Sequence, residues 1–230
     1  MNKPVRTIAL LSASPKGSGL PCVSRMFCNM AAERIAYGEV CVHRFDVRAC
    51  FAEKTEESTY RAMLESDALL VVFPLYFFCL PGMLMRFLQD FSVFAKAHAA
   101  ESRLNQVYAL VNCGFPEAGI NEEAVRVVAR FSASVQASFR FGILVGGGGM
   151  ALGAKDAPFM KSYFGSITDA FDQIRIDTIS FSEAPLANVY VEAKFPRKLY
   201  FLAGDLGWKH TAKKNGLPKK ALRRQPYKRD

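Results

Sequence analysis

Ala68-Leu69-Leu70-Val71-Val72-Phe73 runs directly into Pro74-Leu75-Tyr76-Phe77-Phe78-Cys79-Leu80-Pro81-Gly82. Six apolar residues without a polar break read as a strand covered on both faces, as in the middle of a parallel sheet. The loop that follows places three consecutive aromatic residues between two prolines, where polar residues are the rule. A flat conjugated ring stacked on the loop would explain them. So would a subunit interface, or a cover for the top of the core. Both readings stay open at this point.

Outward from this strand, apolar runs alternate with amphipathic segments. Residues 5–11 form the first strand. Pro21 opens a helix whose apolar face is Val23, Met26, Phe27, Met30, Ala31 and Ile35, ended by Gly38. Residues 40–45 are the second strand, 59–66 a short helix and 68–73 the third strand. Pro81 opens a helix with Leu84, Phe87, Leu88, Phe91 and Ala95 on one face. Residues 107–111 are the fourth strand, 124–134 a helix, 139–145 the fifth strand and 158–173 the last helix. This alternation predicts a doubly wound α/β domain with a five-stranded parallel sheet of order 2-1-3-4-5. The domain spans residues 1–175, and 176–230 form an extension. Ligands of such sheets bind beyond the carboxyl ends of the strands, at the switch in strand order.

The loops there are informative. After the first strand comes Ser12-Ala13-Ser14-Pro15-Lys16-Gly17-Ser18-Gly19-Leu20. Its hydroxyls, glycines and cation ahead of a helix start suit a phosphate. They equally suit a polar loop whose serines cap the helix. The loop is neither a Walker A sequence nor GxGxxG. After the fourth strand comes Asn112-Cys113-Gly114-Phe115-Pro116-Glu117, which offers donors to a polar ring edge or is a plain turn. Gly146-Gly147-Gly148-Gly149 after the fifth strand permits close backbone contact or flexibility.

Composition narrows the classes. Half of the 230 residues are hydrophobic and 22% are charged, as in an ordinary globular protein. The six cysteines form no CxxC pair and have no histidine at ligand spacing, so no zinc or iron–sulfur site is expected and the thiols suit a reducing cytoplasm. No secretory signal and no run of roughly 20 apolar residues is seen. The net charge of +9 is concentrated: residues 194–230 carry 12 Lys or Arg against two Asp, and the other 193 residues carry 18 against 19. A neutral body thus bears a basic tail.

The set S-x-x-G-S, P-x-Y and N-x-G after the first, third and fourth strands resembles the NAD(P)H-dependent FMN reductases, flavodoxin-like flavoproteins. The likeness is strongest over Asp67-Ala68, Pro74-Leu75-Tyr76, Leu80-Pro81-Gly82 and Phe87-Leu88, with Arg86 at that family's basic position. It covers about residues 5–175. The first loop matches more loosely, with Ala13 where glycine is usual and Lys16 for the usual arginine. The resemblance implies an FMN phosphate held by Ser14, Lys16, Ser18 and Gly19. It implies an isoalloxazine lined by Pro74, Leu75, Tyr76 and Phe77, with Asn112, Cys113 and Gly114 at its pyrimidine edge.

The activity so implied is NAD(P)H oxidation with electrons passed to a small acceptor such as a flavin or quinone. No side-chain acid or base is obligatory, and no catalytic residue or metal ligand is assigned. His43, His98 and His210 are scattered. The relatives are often dimers, so a homo-oligomer is expected. Two other functions compete: an electron-transfer flavoprotein without NAD(P)H turnover, and a flavin-less scaffold acting through its tail. The tail reads as an arm packed on the body or a second subunit. Alternatively it lies on an anionic membrane or attracts a polyanion. No motif supports nucleic acid, which ranks last.

Overall fold

A computed structural model describes residues 5–17, 20–225 and 227. The chain divides into two compact units, Met1–Ala193 and Lys194–Asp230.

In the first unit six parallel strands form one sheet of order β2-β1-β3-β4-β5-β6. They are β1 (Arg6–Ser12), β2 (Val40–Asp46), β3 (Ala68–Pro74), β4 (Gln106–Asn112), β5 (Ser138–Val145) and β6 (Val189–Val191). The order 2-1-3-4-5 stands as read from the sequence. β6 is an addition: three residues, pairing Val189, Tyr190 and Val191 with Ile143, Leu144 and Val145. So short a strand carries no periodicity of its own, and it lies in the segment the sequence assigns to the extension.

β4 is buried along its whole length, and β3 up to Pro74. Successive side chains point to opposite faces. Ile8, Leu10, Val72, Tyr108, Leu110, Phe141 and Ile143 face α1 (Val23–Ile35), α6 (Gly148–Gly153) and α7 (Lys161–Ser180). Ala9, Leu11, Val71, Phe73, Val107, Ala109 and Val111 face α2 (Val47–Glu53), α3 (Glu56–Leu64), α4 (Gly82–Ala97) and α5 (Glu122–Ser134). α2 and α6 lie in stretches that the sequence reads as loops. α2 begins where the Asp46 carboxylate accepts the Ala49 N–H, a sound N-cap that a seven-residue helix has too little periodicity to advertise.

The amino ends of the strands carry ion pairs built on buried carboxylates. Asp67, ahead of β3, accepts from the Thr7 N–H at 2.8 Å and pairs with Arg6 and Arg103. Arg140 of β5 grips Asp177 of α7 through Nε and Nη2 at 2.8 and 2.9 Å, and the Tyr108 hydroxyl donates to the same carboxylate at 2.7 Å. These networks close the edge opposite the functional loops.

In the second unit α8 (Arg197–Lys214) buries only Ala212 among its described residues. Leu202, Leu206 and Trp208 are more than half exposed. No helix among the described residues is long and apolar enough to cross a membrane.

Candidate functional site

The carboxyl ends of β1, β3 and β4 lie side by side, so the loops after them meet at one edge. The first loop leaves β1 with Ala13 N–H still donating to the Val72 carbonyl at 3.0 Å, which pins it to β3. Ser14 is buried, and its hydroxyl accepts the Lys16 N–H at 3.3 Å. Lys16 is exposed and its ammonium donates to the Pro21 carbonyl at 3.1 Å. Ser18 and Gly19 lie outside the described residues. α1 then starts with the Cys22 thiol accepting the Arg25 N–H, a cap the sequence pattern does not reveal.

Two further cations belong to this loop. The Arg48 guanidinium of α2 donates to the Pro15 carbonyl at 3.0 Å and lies beside Gly17. Arg25 of α1 donates to the carbonyls of Leu20, Lys16 and Gly17 at 3.2 to 3.4 Å. Guanidinium groups on the carbonyls offset the negative ends of the loop's peptide dipoles. With Lys16 they gather three positive charges on the carbonyls of Pro15, Lys16, Gly17, Leu20 and Pro21. That donor set fits a phosphate group. Neither arginine is legible in the sequence. Arg48 reaches its partner across 33 residues, and only the folded α2 brings it there.

The loop after β3 is tied to the one after β4 by the Leu75 N–H, which donates to the Asn112 carbonyl at 2.8 Å. Pro74 and Leu75 are half-buried, and Tyr76, Phe77 and Phe78 are exposed. A planar apolar ring fits against such residues. Pro81 then precedes α4, whose first turn faces this same edge.

Asn112 is buried, and its amide donates to Ser24 Oγ at 2.9 Å and to the Phe73 carbonyl at 3.1 Å. Those bonds lock β4 to the start of α1 and to β3. With both amide hydrogens engaged, its side-chain contribution to a ring edge is its oxygen. Cys113 is buried too. Its thiol accepts from Asn121 Nδ2 at 3.5 Å, and burial pushes it up from its ordinary value. Gly114 is exposed. The structure therefore brings Ser14, Lys16, Pro74, Leu75, Tyr76, Phe77, Asn112, Cys113 and Gly114 to one edge, in three adjoining loops.

The glycine run after β5 supports the β4 loop. Gly147 (φ 67) donates to the Phe115 carbonyl at 2.6 Å, and Gly148 to the Cys113 carbonyl at 2.8 Å. A Cβ on Gly146 would stand 2.2 Å from the Pro116 carbonyl oxygen, so only glycine fits there.

No family model matches the sequence, and no curated protein does either. Solved structures match it in fold. An NAD(P)H:quinone oxidoreductase from Methanothermobacter marburgensis is 15% identical, with a TM-score of 0.52 over 78% of this chain and 98% of that one. An NADH:FMN oxidoreductase is 16% identical, with a TM-score of 0.52 over 83% and 97%. An oxidoreductase from Corynebacterium diphtheriae is 13% identical, with a TM-score of 0.55 over 77% and 97%. At these identities the likeness is one of architecture: the chain has the flavodoxin-like fold in which those oxidoreductases are built.

Proposed function

We propose that the protein is an FMN-dependent NAD(P)H oxidoreductase that passes electrons to a small acceptor such as a flavin or quinone. The observation that carries this reading is the pairing, at one sheet edge, of a loop ringed by three cations with a neighbouring loop of exposed aromatic side chains. An anionic phosphate and a flat conjugated ring on one ligand match that pair. Fold neighbours described as an NAD(P)H:quinone oxidoreductase and an NADH:FMN oxidoreductase support the reading.

In this reading Ser14, Lys16, Ser18 and Gly19 hold the phosphate, with Arg25 and Arg48 keeping the loop in shape. Pro74, Leu75, Tyr76 and Phe77 line the ring, and Asn112, Cys113 and Gly114 meet its polar edge. FMN when bound supplies the hydride and electron transfer, so no side-chain acid or base is assigned. The overall reaction with a quinone is NAD(P)H + H⁺ + quinone → NAD(P)⁺ + hydroquinone. The residues named above would hold and orient the ring when FMN is bound.

The six free thiols suit a reducing cytoplasm. We place the flavin site in the neutral body, which as a unit ends at Ala193, and a separate docking role in the basic extension. In α8 an apolar middle, Leu199 to Trp208 with one Asp205, lies between cations at both ends. Exposed apolar groups flanked by Lys and Arg suit an anionic membrane surface. A homodimer is the expected assembly.

The test is a visible spectrum of the purified protein after incubation with FMN and desalting, followed by anaerobic NADPH. Retained flavin bands that bleach with NADPH support the reductase. Bands that bleach only with dithionite indicate an electron carrier. No retained flavin overturns the reading.

A further inference from the structure

Between α1 and the carboxyl ends of β1 and β2 lies a cavity of about 190 Å³. β1 stands between β2 and β3, so the cavity is on the far side of β1 from the aromatic loop. Among the described residues, no member of the loop after β1 lines it. Leu10 and Ser12 of β1 pair with Arg44 and Asp46 of β2, so these four side chains share the face that packs on α1. α1 adds Arg25 and Cys28. The volume is below that of an ordinary cofactor pocket and suits a small ligand.

The polar groups lining it are incompletely engaged. Ser12 is 8% exposed, and its hydroxyl has no hydrogen-bond partner among the described residues. Native structures rarely leave a buried hydroxyl in that state. The Arg44 guanidinium donates to Asn29 Oδ1 through Nη2, and its Nε and Nη1 donate to none of the described residues. Asp46 accepts the Ala49 N–H on Oδ1, and its Oδ2 accepts from none of them. Arg44 and Asp46 stand two residues apart on one face, yet no ion pair joins them among the described residues. Arg25 donates to the carbonyls of Leu20, Lys16 and Gly17 and brings a second positive charge. The Cys28 thiol, kept protonated by burial, brings none.

Two cations against one carboxylate favour an anion. The carboxylate decides which anion. Its free oxygen repels an oxyanion that has lost every proton and accepts a hydrogen bond from one that keeps a proton. Above neutral pH inorganic phosphate is a dianion that still carries one O–H. Sulfate carries none. A phosphate monoester, whose second pKa is about 6, carries none either. Hydrogenphosphate meets every group in the cavity: its oxygens face Arg44 and Arg25, one of them accepts the Ser12 O–H, and its own O–H donates to Asp46.

We propose that this cavity is a binding site for inorganic phosphate, separate from the flavin site, and that Asp46 makes it reject sulfate and phosphate esters. The proposal does not rest on the reductase reading.

The experiment uses the full-length protein with excess FMN, in Tris chloride at about pH 8, where the ester is fully ionised. Equilibrium dialysis measures binding of radiolabelled phosphate and sulfate. The native protein is expected to bind phosphate at least about tenfold more tightly than sulfate, and glycerol 2-phosphate to compete at least about tenfold less well than unlabelled phosphate. Arg44→Gln removes a charge-assisted donor and is expected to weaken phosphate by at least about tenfold. Asp46→Asn keeps an N-cap for α2, and is expected to bring phosphate and sulfate within about threefold of each other, chiefly by admitting sulfate. Lys16→Gln alters the flavin loop and not the cavity, and is expected to leave phosphate binding within about twofold. No phosphate binding by the native protein overturns the proposal. Equal binding of sulfate, or equal competition by the ester, overturns it too. So does a phosphate-to-sulfate ratio unchanged in Asp46→Asn. Phosphate binding that is lost in Lys16→Gln and kept in Arg44→Gln assigns the anion to the flavin loop and overturns it as well. A native protein that retains no FMN after desalting overturns the reductase reading and leaves this test standing.

Discussion

Cys28 sits under the first loop, on α1, where a reactive thiol would matter, and burial pushes it up from 9.0 to about 12. The neighbouring Ser12 side chain and the charge of Arg44 pull the other way and lose. In the unfolded chain the thiol ionises near its ordinary value; in the folded protein it keeps its proton. Its contribution to stability is therefore complete below about pH 9 and is lost as the pH climbs toward about 12. The slope is about 1.4 kcal/mol per pH unit in that window. Urea denaturation of the native protein should lose stability above pH 9 more steeply than that of Cys28→Ala. Parallel slopes would show that the folded thiol ionises freely. At this scale the sequence announces a loop's chemistry but not its partners. Ser14, Lys16 and Tyr76 are legible because strand–loop–helix order places them at the sheet edge. The engaged amide of Asn112 is not, since Ser24, which takes one of its hydrogens, lies 88 residues away. Nor is the guanidinium of Arg48, brought to Pro15 by a seven-residue helix.

Elements differ in how much of their own stability they carry, and that decides which of them a sequence reveals. β3 and β4 are continuous apolar runs, and α4 shows its buried stripe at helical spacing, so each is legible alone. β6 has three residues and exists because β5 offers it an edge. α6 grows out of a glycine run of poor helix propensity, and Gly148, its first residue, is tied to the Cys113 carbonyl. α7 continues to Ser180, seven residues past the reach of its sequence pattern, because its last turns are held by charge. Asp177 there accepts from Arg140 and from Tyr108, and both members of the ion pair are at most 6% exposed. Asp177→Asn would leave the Arg140 cation buried without its counter-ion, at a cost of about 3–5 kcal/mol. Replacing both partners, Arg140→Met with Asp177→Leu, should recover most of it, since a buried pair and a well-packed apolar pair are nearly equivalent. Denaturation midpoints of the three proteins check this. A single variant as stable as the native protein would mean that the pair is solvated.

The molecule as a whole joins a nearly neutral body to residues 194–230, which carry a balance of +10. What the extension buries is not legible, because the apolar residues of α8 form one block, Leu199 to Trp208, and not a stripe on one face. Gly204 and Gly207 lie in its middle and weaken it by about 1 kcal/mol each relative to alanine. Such a helix needs a surface, and that surface must accept Leu202, Leu206 and Trp208 as well as the flanking lysines. A hydrocarbon-and-headgroup boundary accepts both: the rings and leucines enter the acyl edge while lysine ammonium groups stay at the phosphates. Each cation near an anionic surface contributes about 1 kcal/mol, screened by salt. The full chain should therefore sediment with vesicles of anionic lipid, not with neutral ones, and should release at high salt. Changing Lys209, Lys213 and Lys214 together to glutamine should weaken vesicle binding by more than about tenfold, while the spectrum of the FMN-loaded protein is expected to stay unchanged, none of the three lysines being among the residues proposed to hold FMN. If the triple variant instead stays on the vesicles, charge is not what holds it there. If the native chain ignores vesicles and the variant changes its oligomeric state, the extension is an arm clasping a second subunit.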